Sequence, residues 1–221
     1  MITAALSAAL IAVSQGASAE LALQEKDRLN HCLDLVQTDP NAAYENALAW
    51  LAEGARPYAR QCAALSLIEL GQEEEGAARL EALANAPDAG SIEDRAVYLA
   101  QSGNAWLAAG LPDAAVVTLT NAIKLAPGDP GIRKDRAAAR LLLDQYAEAI
   151  EDLNEALLAA PKDVDGLKLR AEARLALQDF DAALADVETA MEAAPDDIDV
   201  LLLRGRVREG RRLATEGETV R

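Results

Sequence analysis

Prolines stand at Pro127, Pro161 and Pro195, one every 34 residues. Small residues keep step with them: Ala115, Ala149 and Ala183; Ala122, Ala156 and Ala190; Gly103, Ala137 and Ala171. Four columns in phase over three units constrain the fold more tightly than any composition figure. A period of this length marks stacked supersecondary units, each leaving an apolar face that only its neighbour can cover. The chain is therefore expected to form a linear array. Arrays of this kind bind other molecules more often than they catalyse reactions.

Within each period the pattern reads helix, short turn, helix. In the last unit helix A is marked by Leu167, Ala171 and Leu175, with Leu169, Ala173 and Leu177 widening the stripe. Helix B runs from near Phe180 to Ala193, with Ala183, Val187 and Ala190 on one stripe. Asp129 before Pro130 reads as an N-cap followed by proline at the first helical position, and Asp39 before Pro40 repeats that signal upstream. Gly110 and then Pro112 close one helix and open the next.

Outside the regular units the period fades. Pro57 to Asn85 reads as a worn unit, with Ala64, Gly76 and Leu83 in the small-residue columns. A short linker over 86–90 shifts the register, and Ser91 with Asp94 forms a capping-box pattern that restarts the helices. Glu20–Val36 and Asn41–Glu53 read as one more helical pair, with Ala43, Ala47 and Trp50 on the inner face. Ile198 to Arg212 reads as a lone terminal helix whose arginine-rich flank suits an exposed cap. The expected organisation is degenerate pairs over 20–90, regular units 96–129, 130–163 and 164–197 within 91–197, a capping helix over 198–213 and a flexible tail over 214–221.

The columns resemble those of the tetratricopeptide repeat (TPR) family. With the repeating proline set at motif position 32, the units Ala96–Asp129, Pro130–Asp163 and Val164–Asp197 carry the family's small residues at positions 8, 20 and 27. Position 17 holds Pro112, Tyr146 and Phe180, and position 24 holds Leu119, Leu153 and Val187. Position 11 keeps an aromatic only at Trp106; Arg140 and Arg174 replace it later. The resemblance implies an all-α solenoid of antiparallel helix pairs in a right-handed superhelix, with helices A lining a concave face and a capping helix at the C-terminal end.

The resemblance also implies where a partner would lie. Groove positions fall on Asn104 and Leu107, then Lys134, Leu141 and Leu142, then Asp165, Lys168, Glu172 and Leu175, and on Asp199, Leu202 and Arg206 of the cap. That mixture suits an extended peptide or a partner helix. Lys134 and Lys168 share one motif position. Either they attract acidic groups of a partner, or they pair with neighbours such as Asp135, Asp165 and Glu172. The family's chaperone-binding subclass clamps a peptide's terminal carboxylates with basic and amide residues. At the corresponding positions this chain has Ala100, Asn104, Asp135, Asp165 and Leu169, of which only Asn104 matches. Carboxylate clamping is not expected.

The first nineteen residues differ from the rest. Met1 to Ala19 carry no charged side chain, Ala4 to Val13 form an apolar run, and Gly16–Ala19 offer the small-x-small pattern of a cleavage site. A signal peptide over 1–19 is expected, hence a periplasmic or secreted protein that starts at Glu20; a cytoplasmic protein with a helical or disordered start is the alternative. The run is too short to span a bilayer. Cys32 and Cys62 are 30 residues apart, close to one repeat, and sit on successive helices A. In an exported chain an even cysteine count favours a disulfide between them; two buried small hydrophobes are the alternative. His31 beside Cys32 makes a poor zinc site, since adjacent residues on a helix face apart.

Composition narrows the function. A net charge of −16 and 3% aromatics speak against nucleic acid as a partner. Phosphate-loop, nucleophile-elbow and zinc-protease motifs are missing from the sequence, and acid clusters such as Glu73–Glu75 read as solvated helix faces. The expectation is a non-catalytic, cofactor-free scaffold or adaptor for a protein or peptide partner, in a bacterial periplasm. The alternatives are a cytoplasmic adaptor and a docking subunit of an envelope enzyme or secretion assembly.

Overall fold

A computed structural model describes residues 3–54 and 56–219, with side chains described from Glu20 to Glu216 apart from residues 22 and 55. The expected signal peptide over 1–19 lies outside the described side chains. Among the described residues there are eleven helices and no strand, so the chain is all-α. It divides into two compact units, Met1–Gly90 and Ser91–Arg221.

The first unit holds α1 (Thr3–Thr38), α2 (Pro40–Glu53), α3 (Pro57–Glu69) and α4 (Glu73–Ala84). Asp39 caps α2 by accepting from the Ala42 amide at 3.1 Å, as the Asp–Pro signal implies. Its core gathers Cys32, Val36, Ala43, Ala47, Trp50, Ala59, Cys62 and Ala63. Cys32 and Cys62 are joined as a disulfide with their Cα atoms 6.0 Å apart, tying α1 to α3. Arg28 lies 4.6 Å from the centre of the Trp50 ring and makes a two-pronged pair with Glu53, at 2.6 and 3.1 Å. Gly76 is where α4 meets α3 most closely. A Cβ there would lie 2.8 Å from the Ala64 carbonyl oxygen, so only glycine fits without the backbones parting.

The second unit holds α5 (Ile92–Ala108), α6 (Pro112–Leu125), α7 (Pro130–Leu142), α8 (Tyr146–Ala159), α9 (Val164–Ala176), α10 (Phe180–Ala193) and α11 (Ile198–Thr219). Three helix pairs stack in sequence order and α11 closes the row. Ser91 and Asp94 make both bonds of the capping box that starts α5. The alanine columns are the core: Ala115, Ala122, Ala137, Ala149, Ala171, Ala183 and Ala190 are all fully buried. One bulky residue per pair fills the space between them, Leu119, Leu153 and Val187.

Each A-to-B turn of this unit uses one left-handed residue. Gly110 has φ +74°, Asp144 +57° and Gln178 +62°, all in the same register, and Gly71 with +76° does the same in the first unit. The amide after that residue reaches back to a carbonyl five residues earlier, Leu111 to Trp106, Gln145 to Arg140 and Asp179 to Arg174, at 2.8–2.9 Å. The next residue in this register is Arg212, and there α11 runs on without a turn. The tail expected from Ala214 is accordingly helical as far as Thr219. Arg212 pairs with Glu209 and Glu216 on either side, and Thr215 donates to the Arg211 carbonyl, which sustains the extra turns.

Candidate functional site

The helix A residues singled out from the sequence fall on α5, α7, α9 and α11 of the second unit, and much of that face is wired to itself. Lys134 Nζ donates to Asp163 Oδ2 at 2.9 Å. One period later, Lys168 sits 3.6–3.7 Å from Asp165, Asp197 and Asp199. Asp163 and Asp197 immediately precede the next A helix, so each lysine ties one unit to the following one. The hydrogen bond to Asp163 raises the Lys134 pKa against the opposing effect of burial. Burial alone would lower that of Lys168; Asp197, Asp165 and Asp199 together reverse the sign, and it too is raised.

The other polar candidates behave alike. Asn104 Nδ2 donates to Asp135 Oδ2 at 2.9 Å, from α5 to α7. Arg206 pairs with Glu172 at 2.8 Å, from α11 to α9. Burial raises the pKa of Asp135, only partly offset by the Asn104 bond and the charge of Lys134. Leu107 and Leu141 are half-buried, Leu141 against the Ala137–Ala149–Leu153 cluster. Leu142 and Leu202 are left exposed. The structure thus brings Asn104, Lys134, Lys168, Glu172 and Arg206 onto one face, each with a partner on, or at the head of, a neighbouring helix A.

Beside Asn104 this face opens. A recess of about 280 Å³ is lined on α5 by Glu93, Ala96, Val97, Ala100, Gln101 and Asn104, and on the α6–α7 side by Ala126, Asp129 and Ile132. Its floor is alanine, valine and isoleucine, and two carboxylates stand at its edge. Val97 is 48% exposed, a large aliphatic left open to solvent. Ala100 and Val97 occupy motif positions of the groove, yet the sequence did not single them out as contact residues. Small apolar residues on an alanine-rich helix carry no local signal; the opening exists because alanine at 100 stands where the next two units have lysine.

A second arrangement was likewise not foreseen. Asp152 is 3% exposed and receives both Nε and Nη2 of Arg136, at 2.8 and 2.6 Å, plus Nη1 of Arg140 at 2.6 Å. Asp186 receives Arg170 at 3.0 and 2.6 Å and Arg174 at 2.5 Å, one period later. Each first arginine also reaches the preceding helix B: Arg136 donates to Thr120 and Arg170 to Asn154. Each second arginine donates to a carbonyl at the start of its own helix B, Glu148 or Ala182. The arginines noted as replacing aromatics are the outer half of a buried ionic clamp between helices A and B. The signal was present: Arg136/Arg170, Arg140/Arg174 and Asp152/Asp186 all repeat at 34 residues.

Among the described residues no group of histidine, cysteine or acidic side chains could hold a metal ion. No described helix is long and apolar enough to cross a membrane.

Residues 107–173 match the family model of the tetratricopeptide repeat. No curated protein sequence matches the chain significantly. Solved structures do. The TPR domain of Arabidopsis OM64 is 28% identical, covering 54% of this chain and 98% of that one, with a TM-score of 0.53. The first TPR of Spaghetti (RPAP3), solved bound to an HSP90 peptide, is 26% identical, covering 52% and 90%, with a TM-score of 0.51. A thermophilic TPR protein of Thermus thermophilus covers 84% of this chain and 98% of that one at 22% identity and a TM-score of 0.58, a likeness of fold.

Proposed function

The chain is a tetratricopeptide repeat protein, and from that premise we propose that it is a non-catalytic scaffold holding a segment of a partner protein on the helix A face of its second unit. The observation that carries this reading is the recess beside Asn104, an apolar opening on a face otherwise closed by cross-repeat pairs. It takes one apolar side chain of the partner. The neighbouring structure of Spaghetti holds the acidic peptide SRMEEVD. This face is built for a different segment. Lys134 and Lys168 are already engaged by aspartates, while Glu93 and Asp129 flank the opening. A partner segment with an apolar anchor followed by basic residues fits; one ending in carboxylates is repelled.

The test is a single substitution. Once a partner is in hand, Val97→Asp places a charge on the apolar lining. Binding should fall at least about tenfold, equivalent to about 1.4 kcal/mol, with helicity and melting temperature unchanged. Unaltered affinity would remove the recess from the reading.

The compartment we propose is the periplasm of a bacterium. Two things support it: the uncharged apolar stretch with small-x-small ending over 1–19, and the Cys32–Cys62 bridge, a bond that persists in oxidising compartments. Protein recovered from its native host should then begin at Glu20 by intact mass. A retained Met1 in a reducing compartment would return the chain to the cytoplasmic adaptor reading.

A further inference from the structure

The ionic clamp between helices A and B is complete twice and half-built a third time. Arg136 and Arg140 on α7 hold Asp152 of α8; Arg170 and Arg174 on α9 hold Asp186 of α10. The same two positions on α11 are Arg204 and Arg208. No helix B described in the structure lies against them. Among the described residues neither arginine forms an ion pair, and Arg204 Nε is shut off from solvent with no hydrogen-bond partner. An arginine pair four residues apart therefore stands where, twice before, a carboxylate from a packed helix has been received.

The rest of the helix A signature accompanies the arginines. The small residue against which helix B packs, Ala137 on α7 and Ala171 on α9, is Gly205 on α11. Both alanines are fully buried, whereas a Cβ built on Gly205 would meet nothing within 4 Å. Leu201 corresponds to Leu167, which is buried under its helix B; Leu201 is 43% exposed. The opposite side of α11 is conventional core, with Val200, Leu203 and Val207 sealed against the preceding pair. A helix that served only to end the row would need that inner side alone. α11 also retains, uncovered, the leucine, the small residue and both arginines of the side that receives a helix B.

We propose that this outer side of α11 is a second docking surface, distinct from the recess beside Asn104, and that it takes an amphipathic helix from a partner protein. The occupant carries an aspartate three residues after an alanine and four before another small residue. That is the pattern of both helices seated on such arginine pairs, Ala149–Asp152–Ala156 in α8 and Ala183–Asp186–Ala190 in α10. The carboxylate is received by Arg204 and Arg208, and an alanine packs on Gly205. Charge sets the partner's chemistry: two uncompensated guanidinium groups select an acidic helix on a chain that is itself strongly acidic. A second intact copy does not meet the requirement, because its Asp152 and Asp186 are buried and already bound.

The chain supplies its own probe. A labelled peptide of the α10 sequence, residues 180–193, is held helical by a staple between positions 188 and 192, both exposed in α10. It is titrated into the full chain and followed by fluorescence anisotropy. Saturable binding is expected, weakening as salt rises. Arg204→Gln with Arg208→Gln should weaken it at least about tenfold, and so should asparagine at the peptide's Asp186 position. Arg211→Gln, on the same helix but paired with Asp181, should leave it unchanged. Equal binding to the double variant would mean the peptide displaces α10 rather than docking on α11, and would overturn the proposal. So would no binding up to about 1 mM peptide, the weak end of the affinity scale. Sedimentation of the chain alone covers the other occupant: self-association lost in the double variant would assign the surface to a second copy instead. Val97→Asp, which tests the recess, should leave peptide binding intact, so the two readings fail separately.

Discussion

The two units solve one packing problem by different means. In Ser91–Arg221 the solution repeats: alanine columns let helices approach, and in the α7–α8 and α9–α10 pairs a buried aspartate clamps helix A to helix B while a lysine links helix A to the aspartate heading the next. In Met1–Gly90 the period is worn, and among the described residues the buried-aspartate clamp does not recur. There the core is assembled around Trp50, Arg28–Glu53 and Arg60–Asp88 pair at the surface, Arg56 reaches the buried Glu25, and a disulfide joins two helices directly. Periodicity lets one favourable contact be used again. Where it has decayed, a covalent link and a single large aromatic take its place.

The comparison is most easily broken at the clamp. Asp186→Ala leaves Arg170 and Arg174 without their carboxylate in a largely buried site. The expected loss is about 3–5 kcal/mol, because uncompensated buried charge is the costly outcome. Urea unfolding followed by circular dichroism should show it in the transition of the second unit, while the first keeps its midpoint. A loss below about 1 kcal/mol, the range of exposed pairs, would mean the clamp stabilises no more than a surface bridge.

The disulfide tests the other side. Opening a loop of about 30 residues should cost the first unit about 3–4 kcal/mol in the chain-entropy picture. Reduction, or Cys32→Ser with Cys62→Ser, should therefore lower its unfolding midpoint and leave the second unit untouched. Thiol titration of oxidised, unfolded protein should find no free thiol. If reduction shifts both transitions equally, the units do not unfold independently.

The smallest effect sharpens the account of the helix A face. The pKa of Asp135 is raised, chiefly by burial, so the native state holds its proton to higher pH than the unfolded chain does. The sign follows. The contribution to stability is largest at low pH and is lost as pH rises through the raised native value. Asp135→Asn keeps a group that can bond Asn104 but removes the charge. It should be neutral or stabilising by less than about 1 kcal/mol at pH 7, with the difference vanishing below the usual carboxylate range. A marked destabilisation would mean that the carboxylate holds α5 to α7 as an ion.

How much of this could be read in advance depended on distance along the chain. Caps, turns and alanine columns are local or strictly periodic. Asp39, Asp129, the Ser91–Asp94 box, and the inner face of Ala43, Ala47 and Trp50 all lie where the pattern placed them. The lysines were harder. Helical spacing offers near neighbours such as Asp135, Asp165 and Glu172 as their partners. Lys134 instead reaches 29 residues ahead to Asp163; Asp165 is one of three acids around Lys168, and Glu172 pairs with Arg206. Helical spacing shows who shares a face within one helix, while Lys134–Asp163 and Arg206–Glu172 run between one helix A and the next. Arg140 and Arg174 were noticed only as missing aromatics. Their meaning appears once Asp152 and Asp186, twelve residues on, are seen to share the period.

The left-handed residue that ends α5, α7 and α9 has a consequence for growth. Gly110, Asp144 and Gln178 each reverse the chain, and Arg212 in the same register does not. Reversal or continuation thus goes with the dihedral angles of one residue per period, while the inner side of the helix keeps its core contacts. A row organised this way can gain or lose a member by duplication or deletion of one 34-residue block, with no new interface to invent. The old terminal helix would simply acquire the neighbour its arginines already fit.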